Sequence, residues 1–447
     1  SKSEIIYQNR IKHILHNPKK FYYEFDPVKV VDAIKTLLKE MVLNTGNTPI
    51  MFAGMSVQRS TFMFWDKNTV KPVTPAISWQ DSRAHDTLKH LIEYKRKLWD
   101  ITGTPLSPHF GGPKFLHLSH NNTSLKKLIK NDKVYFGPLS SFLIHTLTGK
   151  IAIDNTIASR TLLFNITKNR WSKFALRLFK VPESCLPPIV PVEHNYGNIL
   201  NYNIWLKAVI GDQQAALIGQ NDLNKNSFGA NFGTSGSIQY NVGEKPMVIK
   251  GLISSVLHSN YKKNIFMLEG TINACNGLFY YLEKKLNLNH NEMNWNERSK
   301  NTKTNGIFIP GFSGIASPYW KTGFDDISID LNQDSNEIIR AAMESIGFLT
   351  NDIITFFEKN NISLPKTLIV SGGGARDSLL QFISNISEKD LILTKAKDKT
   401  ALGVLKIICP NVNQISNSNT NDRVLFFPKR GDRSKVKKWR KAIKDNL

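Results

Sequence analysis

Asp212 stands where the apolar run LKAVI gives way to the segment GDQQAALIGQ (Gly211–Gln220), so a strand hands over to a helix at this acid. A carboxylate there can accept from the first free amide N–H groups of the helix and complement the positive end of its dipole. Taken alone, the motif reads as a helix cap. Two glycine-rich turns, FGTSGS (Phe232–Ser237) and SGGGARDS (Ser371–Ser378), offer a second kind of chemistry, because glycine turns can bring backbone N–H groups close to phosphate oxygens. On its own FGTSGS is an ordinary hairpin turn. The phosphate pattern GxxxxGK[ST] is absent from the sequence, and Thr148-Gly149-Lys150, which resembles it only in miniature, reads as a helix stop. His117 and His120 have a spacing that suits a metal on a helix, but without a carboxylate or cysteine partner they read as surface residues.

The elements that must position these residues alternate. The first half predicts a short strand near Glu4–Tyr7, a helix over Pro27–Met41, a strand over Pro49–Ser56, a strand pair in TFMFWD and PAISW, and a helix from Ser82 to about Trp99. The loop TGTPLSPHFGGPKF follows, then a helix in FGPLSSFLIHTLTGK stopped by Gly149, and the strand YNIWLKAVIG that leads into Asp212. After about Asn221 the pattern restarts with a hairpin in NSFGANFGTSGSIQYNVG, a strand NIFMLEG and an amphipathic helix INACNGLFYYLEKKL. A long helix from Asn336 to about Glu358, the strand TLIVSGGG, a helix after Arg376, the strand DLILTK and a helix from Thr400 to about Cys409 complete it. Hairpin, strand, helix, strand, helix, strand, helix is the order of a ribonuclease-H-like (actin-like ATPase) domain. The expected fold is therefore α/β, with two such domains, residues 1–221 and 222–447, facing each other across a cleft.

Composition narrows the classes. With 447 residues, 41% hydrophobic and 10% aromatic, the chain can bury a sizeable core. No run of about 18 apolar residues exists and the start SKSEIIYQNRIKHIL lacks the layout of a secretory signal, which predicts a cytoplasmic protein with no membrane partner. Cys185, Cys275 and Cys409 are odd in number and far apart, as expected of core residues in a reducing compartment. A net charge of +23 suits a polyanionic partner, yet only KRGDRSKVKKWRKAIK (Lys429–Lys444) is a dense basic cluster. Its Val436, Trp439 and Ile443 recur at helical spacing, predicting a packed helix with a solvated basic face, and no nucleic-acid signature accompanies the charge. The Lys, Asn and Ile bias reads as the mark of an AT-rich genome. No nucleic-acid partner is expected.

Ten ordered motifs then carry a resemblance. SVQRSTFMFW at 56–65, AISWQDSR at 76–83, NTIASRTLLFNI at 155–166, GDQQAALIGQ at 211–220 and NFGTSGSIQY at 231–240 occur in the first part of the chain. IPGFSGIASPYW at 309–320, IIRAAMESIGFLTNDI at 338–353, SGGGARDSLLQF at 371–382, TALGVL at 400–405 and a closing FFPKR…KKWRKAIK follow. Together they resemble the FGGY carbohydrate kinases, and the glycerol kinases among them. The resemblance implies transfer of the γ-phosphoryl group of ATP, with Mg²⁺, to a hydroxyl of a small polyol or sugar. By the same carry-over Asp212 would be the catalytic base and a metal ligand, and Gln58, Arg59, Trp79, His109 and Gln213 would line the substrate pocket. Gly233 and Thr234 would form a phosphate-binding hairpin, Gly372 and Gly373 would open the adenine site, and Asn276 and Asp377 would fall at nucleotide-site positions. A homodimer or homotetramer is implied as well.

Three departures shape that expectation. Ser60 stands where the glycerol kinases carry a glutamate. His109 stands for a pocket tyrosine, and Ser237 for an aromatic, so the substrate pocket is altered and the GTSG turn is closer to the xylulokinase type. The Asp-x-Gly-Thr strand–turn–strand that begins family members is missing from the sequence: residues 1–8 align with the third strand, so the first domain is expected to lack its first two. The alternative to a kinase is thus a pseudokinase, a sugar-binding regulatory protein that keeps the cleft without competent phosphate binding.

Overall fold

The computed structural model describes residues 5–46, 48–394, 398–410, 423–429 and 433–447. Its first half is built on two small sheets. One has the order Glu24–Phe25, Ala76–Ile77, Phe62–Asp66, Val134–Pro138, all antiparallel; the other has the order Glu193–Asn198, Trp205–Gly211, Phe52–Val57. Strands 205–211 and 52–57 run parallel from Trp205 beside Phe52 to Gly211 beside Val57, with a one-residue register shift between Leu206 and Ala208. Their carboxyl ends therefore stop at the same level, the place where open α/β sheets collect ligands. Gln58-Arg59 leaves one strand end and Asp212 leaves the other. Strand 52–57 is the last of its sheet, so one of its edges has no strand partner among the described residues.

The second half holds a seven-stranded mixed sheet in the order Ile253–Ser259, Asn264–Ile272, Gly236–Gly243, Phe228–Phe232, Thr367–Ser371, Asp390–Thr394, Arg423–Phe426. Strands 228–232 and 236–243 form the expected hairpin, and 228–232 runs parallel to 367–371 with Asn231 opposite Ser371. The two glycine-rich turns thus emerge from adjacent strand ends. Gly372 makes this possible: its φ is +103°, and a Cβ there would fall 2.3 Å from the Phe232 carbonyl oxygen.

The halves meet along two packed helices. Helix Asp212–Asn221, which begins at the junction described above, crosses helix Lys399–Ile408 so closely that a Cβ on Gly219 would lie 1.9 Å from the Lys399 carbonyl oxygen and one on Gly403 1.8 Å from that of Ala215. Around the crossing Ile210, Ala215, Leu217 and Ile218 share a buried apolar cluster with Leu257, Met267, Val404 and Ile407. Strand 253–259 adds polar stitches, with Ser254 N–H donating to the Gly103 carbonyl at 2.7 Å and Gln214 Nε2 to that of Val256 at 3.2 Å.

Helix Arg433–Asn446 buries Val436, Trp439 and Ile443 as the spacing predicts. Its basic face is less free than expected. Lys435 is buried against Glu344, Lys438 pairs with Asp330 at 2.7 Å, and Arg440 Nε donates at 3.1 Å to Asp352, which also accepts from Trp439 and Tyr319. Part of the charge is thus spent on attaching this helix to helix Ser335–Lys359, while Lys437, Lys441 and Lys444 face solvent. Two further expectations differ from the structure. Ile5–Tyr7 forms no strand, Glu4 lying outside the described residues, and the helix from Ser82 is a tighter 3₁₀ turn over Asp86–Tyr94 that continues as helix Lys95–Thr102. Among the described residues no helix is long and apolar enough to cross a membrane.

Candidate active site

Gln58 and Arg59 lie in the turn that follows strand 52–57, and a buried amine fixes that turn. Lys114, from helix Gly111–Asn121, is fully buried and donates to the Ser60 carbonyl at 2.8 Å and the Ser78 carbonyl at 2.7 Å. Ser60 itself sits at φ +62°, a left-handed conformation that this anchor helps to hold. Burial, with the Arg83 guanidinium adding to it against Asp81, pushes the Lys114 ammonium down from its ordinary 10.5 to about 7. A base with a depressed folded-state pKa releases its proton earlier in the folded chain, so between about pH 7 and 10.5 the unfolded chain binds more protons and stability rises with pH. Lys114→Met removes this dependence. Urea midpoints at pH 7 and pH 9 are expected to show the native chain gaining about 2 kcal/mol over the variant across that interval, whereas parallel profiles would exclude a neutralised Lys114.

Arg59 is committed to the opposite half of the chain. Its Nη1 and Nη2 donate to the two carboxylate oxygens of Glu269, on strand 264–272, at 2.8 and 2.9 Å, and its Nε lies 3.6 Å from Asp212 Oδ1. Ser237 donates to the same Glu269 at 2.8 Å, and Arg160 Nη1 stands 3.3 Å from it. Burial opposes ionisation of Glu269, but the Arg59 and Arg160 guanidiniums outweigh it and hold the carboxyl at about 2. Burial, followed by the neighbouring Arg59 charge, brings Arg160 down to about 10, and its Nε and Nη1 make no hydrogen bond.

Asp212 is the first residue of its helix, and the cap position is occupied by Gly211, whose backbone is extended. Among the described residues the carboxylate accepts one amide, that of Gln213 at 2.8 Å, so it is less a cap than its sequence position suggests. What anchors the junction is a relay from helix Asn155–Ala158. Gly211 N–H donates to Thr156 Oγ1 at 2.9 Å, and that hydroxyl donates to the buried Asp154, whose carboxyl burial pushes up to about 7. Burial raises the Asp212 pKa against the pull of Arg59 and the Gln213 amide, although 37% of its side chain remains open to solvent. Gln58 Nε2 and Gln213 Oε1 are buried without partners. Trp79 is half exposed, its N–H on Thr61 Oγ1 and its carbonyl 3.1 Å from His109 Nδ1. Although the His109 ring meets solvent, the surrounding protein and the Lys114 charge bring it down to about 4.

The residues expected at the nucleotide site form a second group. The carbonyls of Gly233 and Thr234 accept the N–H groups of Asn276 and Gly277, at the start of helix Asn276–Lys285, both at 3.0 Å. Gly374 N–H donates to the Phe232 carbonyl at 2.7 Å, and the Asn276 amide lies 3.9 Å from where a Cβ on Gly373 would stand. Gly233, Thr234, Asn276, Gly372 and Gly373 are thereby brought together. Asp377 opens helix Asp377–Ser387 and lines a cavity of about 320 Å³ with Lys300, Arg340, Gln381 and Phe382. Thr234 is three residues from Ser237, a separation of at most about 11 Å along the chain, so the turn group and the Arg59–Glu269 group share one strand start. Sequence reading did not single out Glu269, Arg160, Thr156, Asp154 or Lys114. The available signal was a charge inside an otherwise apolar strand, as in NIFMLEG.

The chain is similar to known proteins along most of its length. The family model for the FGGY family of carbohydrate kinases, N-terminal domain, matches residues 1–221, and that for the C-terminal domain matches residues 229–409. Glycerol kinase of Saccharolobus islandicus (strain M.16.27) is 32% identical over 404 residues, covering 87% of this chain and 80% of the relative. Glycerol kinase of Mycoplasma genitalium is 31% identical over 431 residues, covering 89% and 84%. Among solved structures, Plasmodium falciparum glycerol kinase with ADP superposes with a TM-score of 0.87 at 26% identity, covering 100% of this chain and 94% of that one. Gluconate kinase from Lactobacillus acidophilus shares the fold at a TM-score of 0.82 and 19% identity, covering 96% and 89%. The chain belongs to the FGGY family of carbohydrate kinases.

Proposed function

We propose that this protein transfers the γ-phosphoryl group of ATP to a hydroxyl of a small polyol or sugar, with Asp212 as the general base. The observation that carries the reading is the placement of Asp212 beside Arg59, 3.6 Å apart, at the paired carboxyl ends of strands 205–211 and 52–57. A base raised by burial moves toward the operating pH, where proton acceptance from an alcohol is most effective. The surrounding charges, Arg59 and Arg160 against Asp212 and Glu269, balance, which suits an uncharged polyol. Unpartnered Gln58 Nε2 and Gln213 Oε1 supply a donor and an acceptor of the kind hydroxyl groups need.

Similarity to glycerol kinases supports ATP and Mg²⁺ as the co-substrates. Mg²⁺ typically keeps several waters and takes one or two carboxylates plus phosphate oxygens. A single partly open carboxylate such as Asp212 fits a metal that arrives on the nucleotide, and among the described residues no three metal-ligating acids, histidines or cysteines are gathered. When bound, the ion would neutralise charge on the transferred phosphoryl group. The backbone around Gly233–Thr234 and Gly372–Gly373 would seat the phosphates and open the adenine site, with Asn276 and Asp377 on the nucleotide side, and residues 1–221 and 222–447 would act as the two domains. With Ser60, His109 and Ser237 in the pocket, the acceptor need not be glycerol.

A second reading is favoured by one observation: both Nη atoms of Arg59 are taken by Glu269. A protein of that kind would bind sugar without turnover. Calorimetry on the chain with Mg-ATP and a polyol panel separates the two: heat of binding for both ligands, accompanied by ADP release, is expected of the kinase. Polyol binding with no nucleotide binding would overturn it.

A further inference from the structure

We propose that Glu269 is a positioning residue of this site, a carboxylate from the second half that sets the direction in which Arg59 presents its remaining N–H groups to the acceptor and to Asp212. The inference rests on the polyol-kinase reading and adds to it the residue that links Arg59 to the opposite half of the molecule.

Glu269 is occupied by protein donors, three hydrogen bonds and a close guanidinium. One oxygen takes Arg59 Nη2 at 2.9 Å and Ser237 Oγ at 2.8 Å; the other takes Arg59 Nη1 at 2.8 Å and stands 3.3 Å from Arg160 Nη1. Its side chain is 1% exposed, so it acts through the arginine rather than on the ligand. Two parallel N–H···O bonds between planar groups fix both distance and orientation, which a single contact does not. With both Nη atoms held, the guanidinium plane is set and Nε is the edge left facing Asp212 Oδ1. Ser237 and Gln239 lie on one face of strand 236–243, and Gln239 is paired directly with Glu269 across the sheet. The Ser237 hydroxyl therefore holds the carboxylate from the side at which the phosphate turn begins, joining the two groups of residues described above.

The pair is made by residues 210 apart in sequence, one from each half, so it exists only when the halves are docked. It also keeps Arg59 off the base. Without the Glu269 charge, two buried guanidiniums, Arg59 and Arg160, would face Asp212 as their only nearby anion. Arg59 would close the 3.6 Å gap and turn its free N–H edge away from the acceptor.

Glu269→Gln and Ser237→Ala, assayed in the full chain with Mg-ATP and the acceptor that the native protein uses, test the assignment. Glu269→Gln is expected to raise KM for the acceptor about tenfold while leaving KM for ATP within about twofold. A merely structural glutamate would not separate the two. Ser237→Ala, which removes one hydrogen bond and no charge, is expected to raise the acceptor KM by about threefold, and it carries the test if Glu269→Gln fails to fold. An unaltered acceptor KM in either folded variant overturns the role of Glu269 while leaving the kinase reading intact. A native protein without acceptor-dependent ADP release overturns the kinase reading instead; acceptor binding by calorimetry, equal in native and Glu269→Gln chains, then rejects the positioning role as well.

Discussion

Asp212→Asn is expected to lower kcat for acceptor phosphorylation by about 10²–10⁴-fold, the usual contribution of a positioned general base. The substitution is nearly isosteric, and Asn can still accept from the Gln213 amide, the amide contact the carboxylate makes. Arg59 remains held by Glu269 through two bonds, so loss of its 3.6 Å contact with Asp212 does not release it. Folding should be unaffected or slightly favoured, because a charge whose pKa is raised by burial is one the fold tolerates at some expense. A raised pKa also means that the base is fully ionised only at higher pH than an ordinary aspartate. The native kcat should therefore fall as pH drops through that raised value, and the variant's residual rate should not follow it. Full activity in a folded Asp212→Asn chain would remove Asp212 from the mechanism.

The second large effect concerns stability and site geometry together. Gly403→Ala places a Cβ 1.8 Å from the Ala215 carbonyl oxygen, whereas real Cβ contacts essentially never fall under 3.0 Å. The atom in the way belongs to a helix backbone, so no rotamer change can relieve the clash and the two helices must separate. Alanine is the better helix former by about 1 kcal/mol, but overpacking typically costs about 1–3 kcal/mol and occasionally more. Overpacking should win here, since the gap needed exceeds an ångström and is opposed by the buried cluster of Leu217, Ile218, Val404 and Ile407. A lowered urea midpoint with an unchanged slope is the expected result. Because the displaced helix begins at Asp212, kcat should fall in parallel with stability, and a variant as stable as the native chain would show that the crossing is looser than described.

The sequence made the Asp212 junction legible because a strand of continuous apolar residues ends at a glycine and a helix begins at once. It also announced the end of helix Leu139–Thr148, since Gly149 adopts φ +70° as a helix stop requires. The spacing of Val436, Trp439 and Ile443 told correctly which face of the last helix is buried. Strand 253–259 gave no such signal. It is buried along its whole length, so ISSVLHS lacks the alternation of a half-exposed strand, and its three serines read as loop composition.

The site was legible in its local parts and hidden in its long-range ones. Asp212, Arg59 and the two glycine turns belong to short motifs with local geometry. Glu269 draws its role from Arg59, 210 residues away, and Lys114 from the carbonyls of Ser60 and Ser78, so neither pairing has a local spacing to read. The same reason explains Lys435: only the fold reveals that Glu344 waits for it.

If the site at Asp212 moves a phosphoryl group onto a bound hydroxyl compound, the product carries the mass of one added phosphate. Mass spectrometry of a polyol panel after incubation with Mg-ATP, with native and Asp212→Asn chains side by side, should show one or more phosphorylated polyols, formed in equal amount to ADP by the native protein and lost with Asp212→Asn. Polyols and Mg-ATP that both bind yet yield no phosphorylated product would contradict that transfer.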